Sequence, residues 1–484
     1  MLKKLSVKAW AIIIISVVLV LAVFLACLIT ATTPDKKRFT YELNENGISY
    51  SIVGIKNAYR GGWFAKETIN VPETYKGYPV TSIKQIKNLQ KTKTVILPVT
   101  LKEIGASAFY GSSITSLVIP NSVETVGISA FENCTNLTEV TLSDKLTTIP
   151  SGMFRSCFSL KKIEFPNSVT SIASGAFSNC YNLESITFST ALTTIAADAF
   201  SSCVSLTSIE LPASLTTIGN NAFDQCYSLI EICNHSTRVR PTAGSEINGK
   251  VAAYAKHVYS NAQESYLNTE NGNVFYDDGT QVLFVKHYGN ETELTLPADY
   301  NGQAYVLYDY AFYGNSTIQE VVIPAKVTQI GRSAFYNCSA LTKVTIGDGV
   351  TAINRDAFYS CKKLKEVVFG KNIETIGRNA FFECQKLESI ELYDAVKTIG
   401  DGAFSECSKL KDVKLGKGLQ SIGDEAFFNC VRFTELNFGG TKAQWEQITL
   451  GTQWTWDNNS NKRDRSCEKV ICSDGEVEIP SIKA

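Results

Sequence analysis

Apolar residues recur along most of this chain at one fixed spacing. Phe177, Cys180, Leu183, Ile186, Phe188, Leu192 and Ile195 are followed one unit later by Phe200, Cys203, Leu206, Ile209, Leu211, Leu215 and Ile218. The unit phenylalanines are Phe109, Phe131, Phe154, Phe177, Phe200 and Phe223, then Phe312, Phe335, Phe358, Phe381, Phe404 and Phe427. After a first step of 22, every step within a series is 23 residues. Self-similarity at such a period marks stacked repeats, each burying its apolar face against its neighbours. Within a unit, Val140-Thr141-Leu142 alternates apolar, polar, apolar, the pattern of a strand with one buried face. Identical strands joined by the rest of the unit run parallel, and a parallel connection needs a dozen or more residues, which a 23-residue unit supplies. The expected fold is a β-rich solenoid of parallel strands with irregular or short-helical crossovers.

The pattern breaks at defined places. Phe39 to Ile55 reads as a hairpin, with Phe39, Tyr41 and Leu43 before an Asn46-Gly47 turn and Ile48, Tyr50 and Ile52 after it. With Ile69 to Val80 it forms an N-terminal β cap over residues 39–94, required because a stacked core otherwise ends in an open apolar face. The first array covers 95–232 and stops after Ile232, since Asn234 stands where an apolar strand residue belongs. A connector follows at 233–265, with an Ala-rich stretch, Gly249 to Asn261, that reads as a short helix. A second cap occupies 266–310. There Asn271-Gly272 before Val274, Phe275 and Tyr276 resembles the first hairpin, and Leu294 to Gly302 matches Ile69 to Gly77 in phase. The second array covers 311–438, and the tail, 439–484, leaves the period. Thr441 to Ile448 reads as a short helix with Trp445 on its buried side and Val477 to Ile479 as a last strand, together a C-terminal cap. Gly105, Gly127, Gly219, Gly331, Gly377, Gly400 and Gly423 follow aliphatic residues where a turn needs a permissive backbone. Pro120, Pro166, Pro212 and Pro324 end strands.

Residues 1–38 stand apart. Ala9 to Thr33 carries no charge, and from Ala9 to Ile29 only Ser16 is polar. About 20 apolar residues span a bilayer as a helix, more than the roughly 7–15 of a signal-peptide core. Ala9 to Ala31 is therefore expected to be a single-pass transmembrane anchor rather than a cleaved signal. Lys3, Lys4 and Lys8 before it balance Lys36, Lys37 and Arg38 after it, so flanking charge does not orient it. The repeats are expected outside the cell, as is usual for an array behind such an anchor.

Composition narrows the chemistry. The 484 residues hold 46 basic and 47 acidic side chains, which gives no electrostatic reason to expect nucleic acid as a partner. Fourteen cysteines suggest a disulfide framework, but ten of them lie three residues after a unit phenylalanine, in two ladders of five. Residues at one phase stack with nearly parallel Cβ directions, whereas a disulfide needs converging ones. The ladders are expected to be buried thiols acting as small hydrophobes. Of the other four, Cys467 and Cys472 could bridge, but five apart on one strand they would face opposite sides.

The unit pattern Ala-Phe-x-x-Cys-x-x-Leu-x-x-Val/Ile-x-Leu/Ile/Phe-Pro resembles the BspA-type leucine-rich repeat of bacterial and some protist surface proteins. The resemblance covers about Val95 to Phe438 apart from the insert, and the hairpin caps and the Gly-Thr-Lys-Ala-Gln-Trp445 tail are also similar to family members. Ser112 and Asn315 depart from the cysteine position, and Pro150 and Met153 from the third unit. The resemblance implies a curved leucine-rich repeat solenoid and, from characterised members, adhesion to host proteins or other cells.

The outward strand residues form the candidate concave binding face. They are Val118, Thr141, Glu164, Thr187 and Glu210 in the first array, and Val322, Thr345, Val368, Glu391, Lys414 and Asn437 in the second. Such ladders of Thr and Glu also suit a plain solvated sheet. No aromatic stripe runs along them, which argues against stacking on sugars or single-stranded nucleic acid. Catalysis is hard to seat: His235, His257 and His287 all fall in the insert or second cap without a metal-spaced cluster. Asp457 to Asn461 with Glu468 imitates a calcium loop, but Lys462 replaces the needed glycine and Arg463 and Arg465 add opposing charge. The expectation is a non-catalytic, membrane-anchored surface protein, without cofactor or metal, that binds a protein or cell-surface ligand. The alternative is a structural envelope spacer that recognises nothing.

Overall fold

The computed structural model describes residues 35–57, 66–87, 89–455 and 467–479. The expected anchor at 9–31 and the Asp457 to Asn461 stretch lie outside them. Among the described residues no helix is long and apolar enough to cross a membrane. The chain divides into two compact units, Met1–Ser201 with Pro212–Phe223 and Ser202–Leu211 with Asp224–Ala484.

Both units are parallel-strand solenoids, and each turn contributes two strands to two different ladders. The longer strand is the expected one: Lys162–Glu164 pairs in parallel with Ser185–Thr187, and Lys343–Ile346 with Glu320–Ile323 and Glu366–Val368. A two-residue strand forms the second ladder, through Thr148–Ile149, Ser171–Ile172, Thr194–Ile195 and Thr217–Ile218 in register. In the other unit it runs through Ala352–Ile353, Thr375–Ile376, Thr398–Ile399 and Ser421–Ile422. Each isoleucine but the half-buried Ile218 is buried in the core while the residue before it is more open, so even two residues suffice to bury one aliphatic side chain and pair two peptide groups.

Among the described residues the crossovers within the arrays are turns and hold no helix, which corrects the short-helical part of the expectation. Their backbone hydrogen bonds go to the neighbouring turn instead. The Phe131 N–H donates to the Met153 carbonyl at 2.9 Å, Phe154 to Ala176 at 2.8 Å and Phe358 to Ala380 at 2.7 Å. To present these N–H groups sideways the backbone enters the left-handed region two residues before and two after each of these phenylalanines. Ser129 (φ 56°) and Asn133 (φ 60°) flank Phe131; Asp356 (φ 56°) and Ser360 (φ 56°) flank Phe358. Asn, Asp and Gly carry the smallest penalty there.

The glycines after the aliphatic residues have another reason than the one expected. Gly127 and Gly400 are not left-handed. A Cβ at Gly127 would lie 2.3 Å from the Ala106 amide nitrogen, and one at Gly400 would lie 2.6 Å from that of Arg378. At these two glycines the adjacent turn, not a left-handed backbone, leaves no room for a side chain, whereas other turns carry Pro150, Ala173, Ala196 and Asn354 at the same phase.

Phenylalanine and cysteine fill the core as columns. Ring centroids are 5.1 Å apart for Phe109–Phe131, 5.2 Å for Phe177–Phe200, 4.8 Å for Phe312–Phe335 and 5.2 Å for Phe381–Phe404. Strand spacing sets that distance, and the rings stack because the turns do. The thiols are buried and free, as at Cys134, Cys157, Cys361 and Cys384. These thiols donate to the carbonyl of the phenylalanine one unit back, Cys157 to Phe131 at 3.3 Å and Cys361 to Phe335 at 3.1 Å. Cys472 is likewise a buried free thiol.

The caps follow the sequence with two differences. Phe39–Leu43 and Tyr50–Ile55 form the expected hairpin, and Tyr50–Ile55 opens the two-residue ladder by pairing with Tyr78–Ile83. The equivalent second hairpin is Asn273–Asp277 with Val282–His287, turned at Asp278-Gly279. Asn271-Gly272 instead joins an extra strand, Leu267–Glu270, in front of it, so the matching Asn-Gly signals sit one strand out of step. Gly249 to Asn261 does not become an α-helix; it holds part of a 3-10 turn, Asn248–Lys250, and a strand, His257–Tyr259. That strand pairs in parallel with Glu231–Asn234, which itself pairs with Ser208–Leu211. The ladder thus continues past Ile232, and the Asn234 amide closes it by donating to the Ser236 and Val239 carbonyls.

The C-terminal segment holds a shorter helix than expected and a last strand that begins two residues earlier. Lys442–Trp445 is a short helix with a Thr441/Gln444 capping box. Trp445 and Trp454 are buried over the last turn, with Trp454 edge-on to Phe427 at 6.2 Å. Lys469–Cys472 joins the long ladder, and antiparallel Gly475–Glu478 ends it.

Candidate ligand-binding face

On the longer strands every second side chain is committed to the core, so the residue between is the one open to variation. In the unit holding Met1–Ser201, Thr141 lies beside Val118, and Glu164 beside Thr187. In the other unit Thr345 stands between Val322 and Val368, and Lys414 between Glu391 and Asn437. Glu210 lies beside Cys233. Of the expected face residues Thr141, Glu164, Thr187, Glu210, Val368, Glu391 and Lys414 are exposed and Thr345 is half-buried. Val118, Val322 and Val368 leave 54%, 39% and 43% of their surface open, apolar spots on polar ladders. Ion pairs such as Lys343–Glu366 at 3.0 Å join register partners on adjacent strands; exposed as they are, solvent screens them and they add little to stability.

Two hollows adjoin this face, one in each unit. An open groove of about 820 Å³ is lined by Lys371, Glu391, Tyr393, Asp394, Lys414 and Asn437, among others. A smaller one of about 450 Å³ lies at Asp144, Phe165, Pro166, Asn167 and Ser168. Asp144, Asn167, Lys371 and Asp394 occupy one phase of the repeat, 13 residues after the unit phenylalanine. They sit in the turn that follows the longer strand, and sequence reasoning confined to strand alternation missed them. Their signal is a polar, variable position next to the strand-ending residue.

An aromatic row does exist, on the turn edge rather than the strand face. Tyr313, Tyr336, Tyr359 and Phe382 stack at 5.1, 4.7 and 4.7 Å with nearly parallel rings. Each ring face inside the row is already covered by the next ring, so the row offers edges and hydroxyls instead of a stacking platform. Burial pushes the Tyr336 and Tyr359 phenols up from their ordinary value.

The three histidines each meet a glutamate. His287 is buried, 2.8 Å from Asn273 and 2.9 Å from Glu291, whose carboxyl it holds below its usual range. His257 stacks between Tyr259 and Tyr266, 3.6 Å from Glu231. The Glu231 carboxylate is buried and accepts from Ser265 at 2.6 Å and the Tyr266 N–H at 2.7 Å. His235 meets Glu210 at 2.8 Å and the Cys233 sulfur at 3.4 Å. The Cys233-x-His235 spacing, with Glu210 one 23-residue unit before Cys233, was legible in the sequence but was passed over.

The core columns and two-ladder turns have a counterpart among known families. The model of the BspA type leucine-rich repeat region matches residues 67–183, 102–230 and 305–434, together more than half of the chain. The chain belongs to this family. The BspA-type match leaves the connector and both chain ends outside it. No curated protein matches the sequence at a significant level. Among solved structures it is similar to a leucine-rich cell surface protein from Faecalibacterium prausnitzii A2-165, 23% identical over 86% of this chain and 97% of that one, with a TM-score of 0.37. A leucine-rich repeat protein from Eubacterium ventriosum is 19% identical over 86% and 91%, with a TM-score of 0.39. The pneumococcal vaccine antigen PcpA is 17% identical over 86% and 97%, with a TM-score of 0.31. At those scores the likenesses add nothing to what strand pairing and the family match already carry.

Proposed function

We propose that this BspA-type protein is a non-catalytic binding protein, held at the cell surface by residues 9–31, that takes a protein partner on its strand face. The observation that carries this reading is the groove in which Glu391 and Lys414 meet Lys371 and Asp394 of the adjoining turns. Groups of both signs, an open apolar wall and a rigid ladder beneath suit an extended polypeptide or a protein surface. Rigid presentation matters because little ordering entropy is then lost on binding. The anchor rests on the uncharged stretch Ala9 to Thr33.

The test is attachment of cells displaying the full chain to a panel of purified secreted and surface proteins. The double variant Glu391→Lys with Lys414→Glu keeps the core and the net charge while reversing both signs in the groove. It is expected to weaken a binder by about tenfold or more, ~1.4 kcal/mol. Attachment to no panel member, or attachment indifferent to the double variant, favours the envelope spacer, for which the Thr and Glu ladders are only a solvated sheet.

A further inference from the structure

The strand ladder places three metal-binding side chains on one point at the Glu231–Asn234 strand. Glu210 and Cys233 are register partners on adjacent parallel strands, and His235, two residues beyond Cys233, projects to the same side. Their donor atoms, one carboxylate oxygen, one thiol sulfur and one imidazole nitrogen, all lie within 4.8 Å of one another. We propose that Glu210, Cys233 and His235 form a zinc site with three protein ligands and one position open to solvent.

The contacts favour a shared cation over a catalytic relay. A cysteine–histidine–carboxylate relay uses one ring nitrogen for the sulfur and the other for the carboxylate. Here the same atom, His235 Nε2, faces both Cys233 Sγ at 3.4 Å and Glu210 Oε1 at 2.8 Å. One nitrogen cannot accept from the thiol and donate to the carboxylate at once, so without a metal both contacts draw on a single N–H split between sulfur and oxygen. A cation at the centre satisfies all three. Zinc bonds of about 2.3 Å to sulfur and about 2.0 Å to nitrogen put tetrahedral donors about 3.5 Å apart. The sulfur–nitrogen pair is already at that distance, and the nitrogen–oxygen pair has to open by about 0.5 Å.

The surroundings fit such a site. Cys233 is buried, Glu210 is exposed and His235 is half-exposed, so the sulfur forms the floor and the fourth position opens to water. Mixed sulfur, nitrogen and oxygen donors, three in number, are the set of a zinc site with an open position. The His235 N–H donates to the Leu211 carbonyl at 3.0 Å, which fixes the ligand's backbone. Binding then exchanges one proton for the metal: the thiol proton leaves to solvent, the sulfur and Nε2 each donate a lone pair, and Glu210 supplies its charge. Zinc would tie the strand Glu231–Asn234 to its neighbour Ser208–Leu211, a task independent of what the strand face binds.

Cobalt titration of the full, reduced, metal-free chain tests this, since Co²⁺ reports a thiolate ligand by a near-ultraviolet charge-transfer band. The expected result is a band that saturates at one equivalent, is bleached by zinc, and is lost in both Cys233→Ser and His235→Ala with unchanged circular dichroism. Glu210→Gln, at an exposed position, removes the carboxylate ligand and is expected to weaken cobalt by about tenfold or more, at least as much as the loss of an outer partner of a metal ligand. No band in the wild-type chain, or a band that survives Cys233→Ser, overturns the proposal.

Discussion

A buried thiol in this protein is held by three things: the phenylalanine column beside it, a carbonyl one unit back, and the absence of water. Burial pushes the Cys180 and Cys407 thiols up to about 12 from an ordinary 9.0, and the Cys157 and Cys384 thiols well above the ordinary value. Native thiol labelling at pH 8 is therefore expected to spare the ladder cysteines, which react only after unfolding. The sign of the linkage follows. Between about pH 9 and 12 the native state holds protons that the unfolded chain has lost, so stability is full below pH 9 and falls as pH rises through that window. Urea midpoints measured from pH 7 to pH 11 are expected to decline monotonically above pH 9, and a flat profile contradicts this. The phenylalanine column contributes more to stability than the thiols do. Phe358→Ala, at a fully buried ring stacked on both sides at 4.9 and 5.0 Å, is expected to cost about 3–5 kcal/mol in urea unfolding. The core at this scale was legible in the sequence because each column repeats one residue type at one phase. The Cys233 and His235 pairing escaped because it occurs once, where the repeat ends, and only adding one period to Glu210 exposes it.

At the scale of one turn, the two ladders and the sideways hydrogen bonds explain which positions tolerate change. Glu425 (φ 55°) is an exposed non-glycine residue in the left-handed region. Replacing it by glycine is expected to leave stability unchanged or raise it by up to about 1 kcal/mol, while Glu425→Val lowers it. Gly400 behaves in the opposite way. Its own backbone would accept a side chain, but the Arg378 amide would not, so Gly400→Ala is expected to cost about 1–3 kcal/mol. Thermal melts of the three variants separate the two reasons for a small residue. The longer strand could be read from its alternation, whereas the two-residue strand could not, since Thr-Ile is too short to show a period. The second ladder exists because stacking supplies the partner, a tertiary effect that no local pattern carries. The helix expected at Gly249 to Asn261 failed for the same reason. Spaced apolar residues there serve a parallel strand, His257–Tyr259, offered an open edge by Glu231–Asn234.

For the whole molecule, the caps close the apolar ends that stacked turns would otherwise leave open. Trp454 lies edge-on to Phe427, the last unit phenylalanine, and Trp445 packs against Phe438 and Trp454. Trp445→Ala is expected to fray the terminal turns, seen as faster hydrogen exchange near Phe427 with little change near Phe358. Binding at the cell surface requires the strand faces to meet partners outside the cell, and that is open to a direct measurement. Exposed lysines such as Lys162 and Lys414 react readily with a membrane-impermeant amine reagent. On intact cells they are expected to be labelled as fully as in lysed cells. Labelling of these lysines only after lysis would place the arrays inside and contradict a surface-binding role.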